Sequence, residues 1–404
     1  MIPNSDAINS RSAFPKRIKV LHIITVFSIG GATENTLFTV EGLKSLGYDV
    51  SILTGPNIPS EGSLFKAAWQ SEVNVTVINE LRRSIHPFYD VIAFFEIFKI
   101  IRKGKFHIVH THSSKAGLLG RLAARCARTP IIIHTIHGLP FHKYQNKLIH
   151  FLFIFAEKVG TAISDKVVTV TNTIIDEMLT AGISRRNKFV MIRSGFFVER
   201  FMKQDDMRQE LKEKLGLLKD NIVVGKVARF SLLKGYNYII EAIPEIVKQV
   251  PKVMFLFVGS GELEQEMRQR AKELGISNYI IFAGLVEQEK MPYYISIMDV
   301  VVHTSLLEGL ARVLPQALAA GKPVVSFDIN GVHEVVIEGK TGYLVDPESP
   351  KQLVKAIVNL INNPQLAQEL GANGAEFVKE SWTVSAMVDE IHKVYCQLLK
   401  EKKL

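Results

Sequence analysis

Short apolar runs, each closed by small or polar residues and followed by a longer helical stretch, recur along the whole chain. In the first half KVLHIITVF (19–27), YDVSILTG (48–55), VNVTVI (73–78), HIVHTH (107–112), PIIIHTIH (130–137), KVVTVT (166–171) and KFVMIRSG (188–195) read as strands. In the second half IVVGKVARF (222–230), VMFLFVGSG (253–261), YIIFAGLV (279–286), DVVVHTS (299–305), KPVVSFD (322–328) and GYLVD (342–346) continue the series. Strands that alternate with helices predict parallel sheets covered on both faces. Helices are expected there at about 234–249, 262–274, 289–297, 313–320, 350–361 and 383–400. The fold class is therefore α/β, with two doubly wound domains over residues 1–198 and 199–380 and a last helix within 381–404 returning toward the first. Ligands of such sheets sit at the carboxyl ends of the strands, so a cleft between the two domains is the expected site.

Composition changes this picture little. Of 404 residues 47% are hydrophobic and 22% charged, an ordinary globular balance that excludes wholesale disorder. The apolar stretches VIAFFEIFKII (91–101) and LIHFLFIFA (148–156) fall short of a membrane span, and the opening MIPNSDAINSRSAFPKR has no apolar core of a secretory leader. Cys126 and Cys396 make no metal or redox spacing, which fits a reducing compartment. The net charge of +9 is uneven. Residues 1–200 carry 25 Lys and Arg against 14 Asp and Glu, and 101–150 hold nine basic residues and no acidic one. The first half is thus built to meet something anionic, whether a phospholipid surface, a phosphorylated lipid or nucleic acid, although a basic surface that only aids solubility has the same composition.

Candidate chemistry gathers at strand ends. Gly30 and Gly31, at the turn after the first strand, let backbone approach a ligand and open a helix N-terminus suited to a phosphate; a plain tight turn is the alternative. The spacing lacks a third glycine, which disfavours a hydride-transfer dinucleotide site. Arg229 and Lys234 stand just past a strand, where a guanidinium fork and an ammonium can share one diphosphate. Glu308 and Gly309 follow another strand. Pro315 fits only the first turn of a helix, so the helix should begin near Val313 and leave the amides of 309–312 as an anion nest. Glu308 also has a plainer reading as a helix-cap carboxylate. No Asp-x-Asp pair sits at a strand end, and Asp205–Asp206 at the domain boundary reads as solvated. Positive side chains and amides, with no metal, are expected to neutralise a phosphate here.

The motifs SIGGATE, HTHSSKAGLLGR, HTIHG, ARFSLLKG, FVGSGE, FAGLV and SLLEGLARVLPQALAAGKPVV, in this order from about residue 18 to 400, resemble the family 4 retaining glycosyltransferases of the GT-B fold. Within that family the chain looks most like bacterial enzymes that build cell-surface polysaccharides on lipid carriers. The resemblance implies two Rossmann-like domains and transfer of a hexosyl or N-acetylhexosaminyl group from a nucleotide diphosphate sugar, a UDP-sugar ahead of a GDP-sugar, to a lipid-linked saccharide or related acceptor. It implies that Arg229 and Lys234 bind the distal phosphate, that Gly30 and Gly31 face the donor phosphates, and that Glu308 touches the transferred sugar. It further places the amides of Gly309, Leu310 and Ala311 on the phosphates, His137 near the 6-position of the sugar, and Gly284, Leu285 and Val286 beside the base. His112, Ser113 and Lys115, in HTHSSKAGLLGR, are assigned to the acceptor. No cofactor and no metal are implied, and the expected location is the cytoplasmic face of the cell membrane, held peripherally.

Two positions depart from the family. A second glutamate that grips the ribose is here Gln316, whose amide can still accept from one hydroxyl and donate to another. The common Asn-Gly-Val-Asp at the boundary is Ser194–Gly195–Phe196–Phe197. His110 and His112 share a strand face and His134 lies on the next strand; no carboxylate accompanies them in 101–150, so His110 and His134 read as hydrogen-bonding residues ahead of metal ligands. Rival readings are a sugar-nucleotide 2-epimerase of related fold, a non-catalytic sugar-nucleotide sensor, and a nucleic-acid binder. The last lacks the aromatic stacking modules that grip single strands.

Overall fold

A computed structural model describes residues 17–57, 63–202 and 207–404. Asp205–Asp206 and the stretch before Arg17 lie outside them. The chain divides into two compact units: one holds residues up to Val170, Ile175–Ile192 and Met387–Leu404, the other Thr171–Ile174 and Arg193–Ala386. The sequence suggested one cut near 198 and a final helix; in addition, residues 171–174 group with the second unit.

The first unit is built on seven parallel strands: β1 (Lys19–Ile24), β2 (Asp49–Thr54), β3 (Asn74–Val77), β4 (Ile108–His112), β5 (Ile131–Ile136), β6 (Lys166–Thr169) and β7 (Phe189–Met191). Their order is β3-β2-β1-β4-β5-β6-β7, so the direction of winding reverses between β1 and β4. The helices between strands start where the sequence can satisfy their free amides. Pro87 opens the helix Pro87–Gly104 after His86, whose ring accepts from the Tyr89 amide, and the Asn146 side chain caps Lys147–Ala162 by accepting from the Leu148 amide at 2.8 Å. The helix Val384–Glu401 ends the chain, and Met387 onward belongs to this unit. Its Val388 presses on Gly42, where a Cβ would stand 2.4 Å from the valine methyl.

The second unit holds six parallel strands: β8 (Ile222–Val227), β9 (Val253–Val258), β10 (Ile280–Gly284), β11 (Val300–His303), β12 (Val324–Phe327) and β13 (Gly342–Val345). The order β10-β9-β8-β11-β12-β13 reverses between β8 and β11. Val223, Val253, Phe255, Leu256, Val301 and Val324 are wholly buried, each contributing roughly 1.5–3 kcal/mol of apolar transfer. All thirteen strands lie within the predicted runs, and the helix Val313–Ala319 begins at Val313 with Pro315 in its first turn. The helix Pro364–Val378 was not expected. Gly371 and Gly374 interrupt its pattern because they let it close on Val313–Ala319: a Cβ on Gly371 would stand 2.0 Å from the Gly321 carbonyl oxygen, and one on Gly374 2.6 Å from Leu318. At the altered boundary motif, Phe196 is buried and its amide donates to the Trp382 carbonyl at 2.9 Å.

Candidate active site

In the second unit Lys234, after β8, and Glu308, after β11, meet at the switch point of the sheet, where open α/β sheets bind ligands. The Lys234 ammonium donates to Glu308 Oε1 at 2.5 Å, and His303 Nε2 lies 3.4 Å from the same oxygen. Glu308 therefore does not cap the following helix, whose N-cap is Arg312. Burial pushes its carboxyl up, but Lys234 and His303 outweigh burial and hold it well below the usual carboxylate range. The turn carrying Lys234 is fixed from below. Gly235 adopts φ 62°, and a Cβ there would stand 1.9 Å from the Thr304 carbonyl oxygen. Thr304 Oγ1 donates to the Gly235 carbonyl at 2.7 Å and accepts from the buried Lys226 ammonium at 2.8 Å. Burial first, then Lys234, pushes Lys226 down to about 7, against the pull of Glu308. Gly309, Leu310 and Ala311 donate their amides to no acceptor among the described residues, as an anion nest ahead of Pro315 would need. Arg229 is exposed at the end of β8. Gln316 is half-buried, and its side-chain amide has no hydrogen bond among the described residues. At the end of β10, Gly284 has φ 70°, Leu285 is exposed and Val286 is buried.

The first unit brings its own group together at the switch point between β1 and β4. Gly30 is the N-cap of the helix Gly31–Ser45, directly after β1. Ser113 follows β4 with φ 58° and ψ 163°, a region that costs a non-glycine residue about 1–3 kcal/mol. Its hydroxyl accepts from the Thr25 amide at 3.4 Å, and Thr25 Oγ1 accepts from the Ala116 amide at 3.2 Å, which lock the strained turn to the end of β1. Lys115 reaches the Asp90 carboxylate and the Ser84 carbonyl. His137, just past β5, places Nε2 at 3.1 Å from His112 Nδ1.

Behind His112 the rings continue inward. His112 Nε2 meets His22 Nδ1 at 2.9 Å, and the His110 ring lies against both at centroid distances of 4.6 and 4.9 Å. Burial lowers His22 to about 3; burial, then neighbouring histidines, holds His110 and His112 well below the usual imidazole range. His22, His110 and His112 stand close enough to hold a metal ion, yet all six of their ring nitrogens already face a hydrogen-bond partner. His134 turns to the other face of the sheet. The parallel register sets it opposite Thr111, to whose hydroxyl its Nδ1 lies at 2.9 Å, and its ring fills the space a Cβ on Gly117 would take. Burial first, then Arg121, holds it well below the usual range as well.

Sequence reasoning missed His303, Lys226, His22 and Tyr395. His22 carried a signal, since the register of β1 on β4 sets it opposite His110. Tyr395 carried none, because its partner His110 lies 285 residues away.

Residues 29–200 match the family described as Glycosyltransferase Family 4, and residues 207–377 match Glycosyl transferases group 1. The chain is 26% identical over 399 residues to the UDP-Gal:alpha-D-GlcNAc-diphosphoundecaprenol alpha-1,3-galactosyltransferase of Escherichia coli, covering 96% of this chain and 98% of that relative. It is 25% identical over 392 residues to the capsular polysaccharide biosynthesis glycosyltransferase CapM of Staphylococcus aureus, covering 96% and 99%. Among solved structures, HepE of Anabaena in complex with UDP and glucose superposes with a TM-score of 0.82 at 19% identity, over 94% of this chain and 100% of that one. Two parallel-sheet units, matched along nearly their whole length, identify the fold as GT-B, and the chain belongs to the family 4 glycosyltransferases.

Proposed function

We propose that this glycosyltransferase moves a sugar from a nucleotide diphosphate sugar, a UDP-sugar before a GDP-sugar, to a lipid-linked saccharide in bacterial surface polysaccharide synthesis. The observation that carries the reading is the cluster at the β8–β11 switch point, where Lys234 pairs with Glu308 and the unpaired amides of Gly309–Ala311 follow in the chain. Arg229, Lys234 and those amides bind the diphosphate, Glu308 holds hydroxyls of the sugar, and Gln316 holds the ribose. Gly30 and Gly31 face the phosphates, Gly284–Val286 the base, and His137 the 6-position. His112 and Ser113 border the acceptor, with Lys115 supporting that turn through Asp90. The bond from the anomeric carbon to the phosphate oxygen breaks, and its electron pair leaves with the nucleotide diphosphate. The acceptor oxygen attacks the same face, and its proton passes to the departing phosphate, so configuration is retained. Preorganised positive charge in a partly dry site is the source of rate, and no metal is required. The E. coli relative, named for UDP-Gal and a diphosphoundecaprenol acceptor, and the UDP complexes of HepE support the choice of donor and acceptor class.

The test is incubation with a panel of nucleotide sugars and lipid-linked saccharides, reading nucleotide release and product mass. One sugar added to the lipid-linked acceptor, with one nucleotide diphosphate released, is the expected result. An isomerised nucleotide sugar formed without acceptor would replace the reading with an epimerase.

The basic first unit also has an apolar face for a membrane surface. Leu148, Phe151, Leu152 and Phe155 on the helix Lys147–Ala162, and Phe88, Val91 and Phe95 on Pro87–Gly104, are exposed near Arg82, Arg83, Lys143 and Lys147 in sequence. No helix among the described residues is long and apolar enough to cross a membrane. We expect peripheral binding to anionic vesicles, each basic residue adding about 1 kcal/mol and the effect fading with salt. Equal sedimentation with neutral and anionic vesicles would exclude it.

A further inference from the structure

The histidines of the first unit form a single file with two distinct ends. Thr135 Oγ1 lies 2.7 Å from His110 Nε2, and His110 Nδ1 lies 2.7 Å from the Tyr395 hydroxyl. That hydroxyl lies 3.3 Å from His22 Nε2, His22 Nδ1 lies 2.9 Å from His112 Nε2, and His112 Nδ1 lies 3.1 Å from His137 Nε2. Every member but His137 is buried, and the file uses both nitrogens of each of its inner rings.

A neutral imidazole donates through one nitrogen and accepts through the other, so one tautomer fixes the next along the file. Burial keeps His22, His110 and His112 neutral at ordinary pH. An arrangement in which Tyr395 accepts from both His110 and His22 orphans the buried tyrosine proton, which leaves two polarities. In one, protons point from Thr135 toward His137; in the other, they point back. The buried end decides between them. In the backward polarity His110 donates to Thr135, and the threonine proton is left over. Thr135 is buried, and its hydroxyl has no other partner among the described residues, so that donor would be orphaned. The forward polarity orphans no donor at this end: Thr135 donates to His110, His110 to Tyr395, Tyr395 to His22, His22 to His112, and His112 to His137. A buried donor without an acceptor is costly, whereas a spare lone pair is tolerated.

We propose that Tyr395, on the C-terminal helix, is a positioning residue that joins two halves of a polarised hydrogen-bond file and thereby holds the proton of His137 on Nδ1. His22, His110, His112 and His137 are all in the Nδ1–H form, which is the minor tautomer of free histidine. Each bond in such a file polarises the next, so the far end of the file stiffens the near one. The consequence for transfer rests on the function proposed above: the His137 nitrogen that does not meet His112 carries a proton, a donor and not an acceptor. The tautomers themselves do not depend on that reading.

Long-range proton–nitrogen NMR correlations on the full chain labelled with nitrogen-15 histidine read each tautomer directly, with rings assigned by single histidine substitutions. Four Nδ1–H rings are expected at pH 7.5, and an Nε2–H form of any of the four overturns the polarity. Tyr395→Phe keeps the ring and removes the hydroxyl. Neither tautomer of His110 then satisfies every donor, so its single form should give way to a mixture. Tyr48→Phe, which removes a hydroxyl bonded to His392 on the same helix, should leave all four rings as they were. Unchanged His110 signals in Tyr395→Phe overturn the joining role. In turnover, Tyr395→Phe should lower kcat about fivefold at unchanged donor KM, while Tyr48→Phe matches wild type. Equal kcat in the two variants overturns the positioning role. Should Tyr395→Phe fail to fold, Thr135→Val and Thr135→Ser probe the file from its other end: serine should restore the kcat that valine loses, and equal loss in both counts against the file. If no donor is turned over by the wild type, the function falls while the NMR result still decides the file.

Discussion

The carboxyl ends of the two sheets bury titratable groups in opposite ways. In the first unit His22, His110, His112 and His134 are stripped of water and held neutral, joined by hydrogen bonds that carry direction but no net charge. In the second unit Glu308 keeps its charge beside Lys234, with His303 on the same carboxylate and Lys226 beneath. A neutral file orients a donor without attracting an ion. A charged cluster sets a local field and can exchange one partner for another, and on the function proposed above an entering diphosphate competes with Glu308 for Lys234. The first arrangement suits recognition of hydroxyls, the second neutralisation of a leaving phosphate.

Acid should separate the two regions most. A histidine whose folded pKa lies below its unfolded value of about 6.5 lets the unfolded chain bind protons that the native state refuses. Its contribution is complete above that value and is lost as pH falls toward the folded pKa. Between pH 7 and pH 5 His22, lowered to about 3, costs about 2 kcal/mol, and His110, His112 and His134 add losses in the same direction. The second unit carries His303 with the same direction of shift, while Glu308 loses its contribution only below the ordinary carboxylate range. Hydrogen exchange followed by mass spectrometry at pH 7 and pH 5, corrected for intrinsic rates, should show the larger loss of protection in β1, β4 and β5. Equal losses in β8 and β11 would break the comparison.

Next in size is the charged cluster. Removing a positive charge from a developing diphosphate costs on the order of 3 kcal/mol, so Lys234→Ala should lower turnover ~100-fold. Glu308→Ala should lower kcat more than it raises donor KM, because the sugar it is proposed to hold changes charge in the transition state. Chelator should leave the wild-type rate unchanged. Activity lost to chelator and restored by magnesium would mean that a cation, and not Lys234, carries the phosphate charge.

The fold was legible because parallel strands buried on both faces read as short, mostly apolar runs, most plainly in β9 with VMFLFV. The helix Pro364–Val378 was not, since Gly371 and Gly374 serve a close approach that only the packed structure reveals. At the site, motifs placed Lys234 and Glu308 past neighbouring strands, but their pairing depends on the order in which strands join the sheet. His303 and Lys226 lie inside strand runs, where alternation tells the face of a side chain and not its partner. Tyr395 stands farthest from any sequence signal: the return of the last helix was expected, but nothing in the sequence says which of its residues meets His110.

The smallest expected effect sharpens the comparison within the second unit itself. Gln316 lies beyond the nest on the helix Val313–Ala319, with no charge and no side-chain hydrogen bond among the described residues. It is assigned to the ribose, which is bound alike before and during transfer, so its contacts lower KM without raising kcat. Gln316→Ala should therefore raise donor KM by the ~1 kcal/mol of a neutral hydrogen bond, about fivefold, at nearly constant kcat. Gln316→Glu should be tolerated, because ribose hydroxyls donate readily to a carboxylate. Steady-state kinetics at saturating acceptor distinguish this from the Glu308 pattern. If Gln316→Ala abolishes turnover at saturating donor, the neutral position acts on the reacting sugar, and the division between charged chemistry and neutral recognition along 308–316 has to be redrawn.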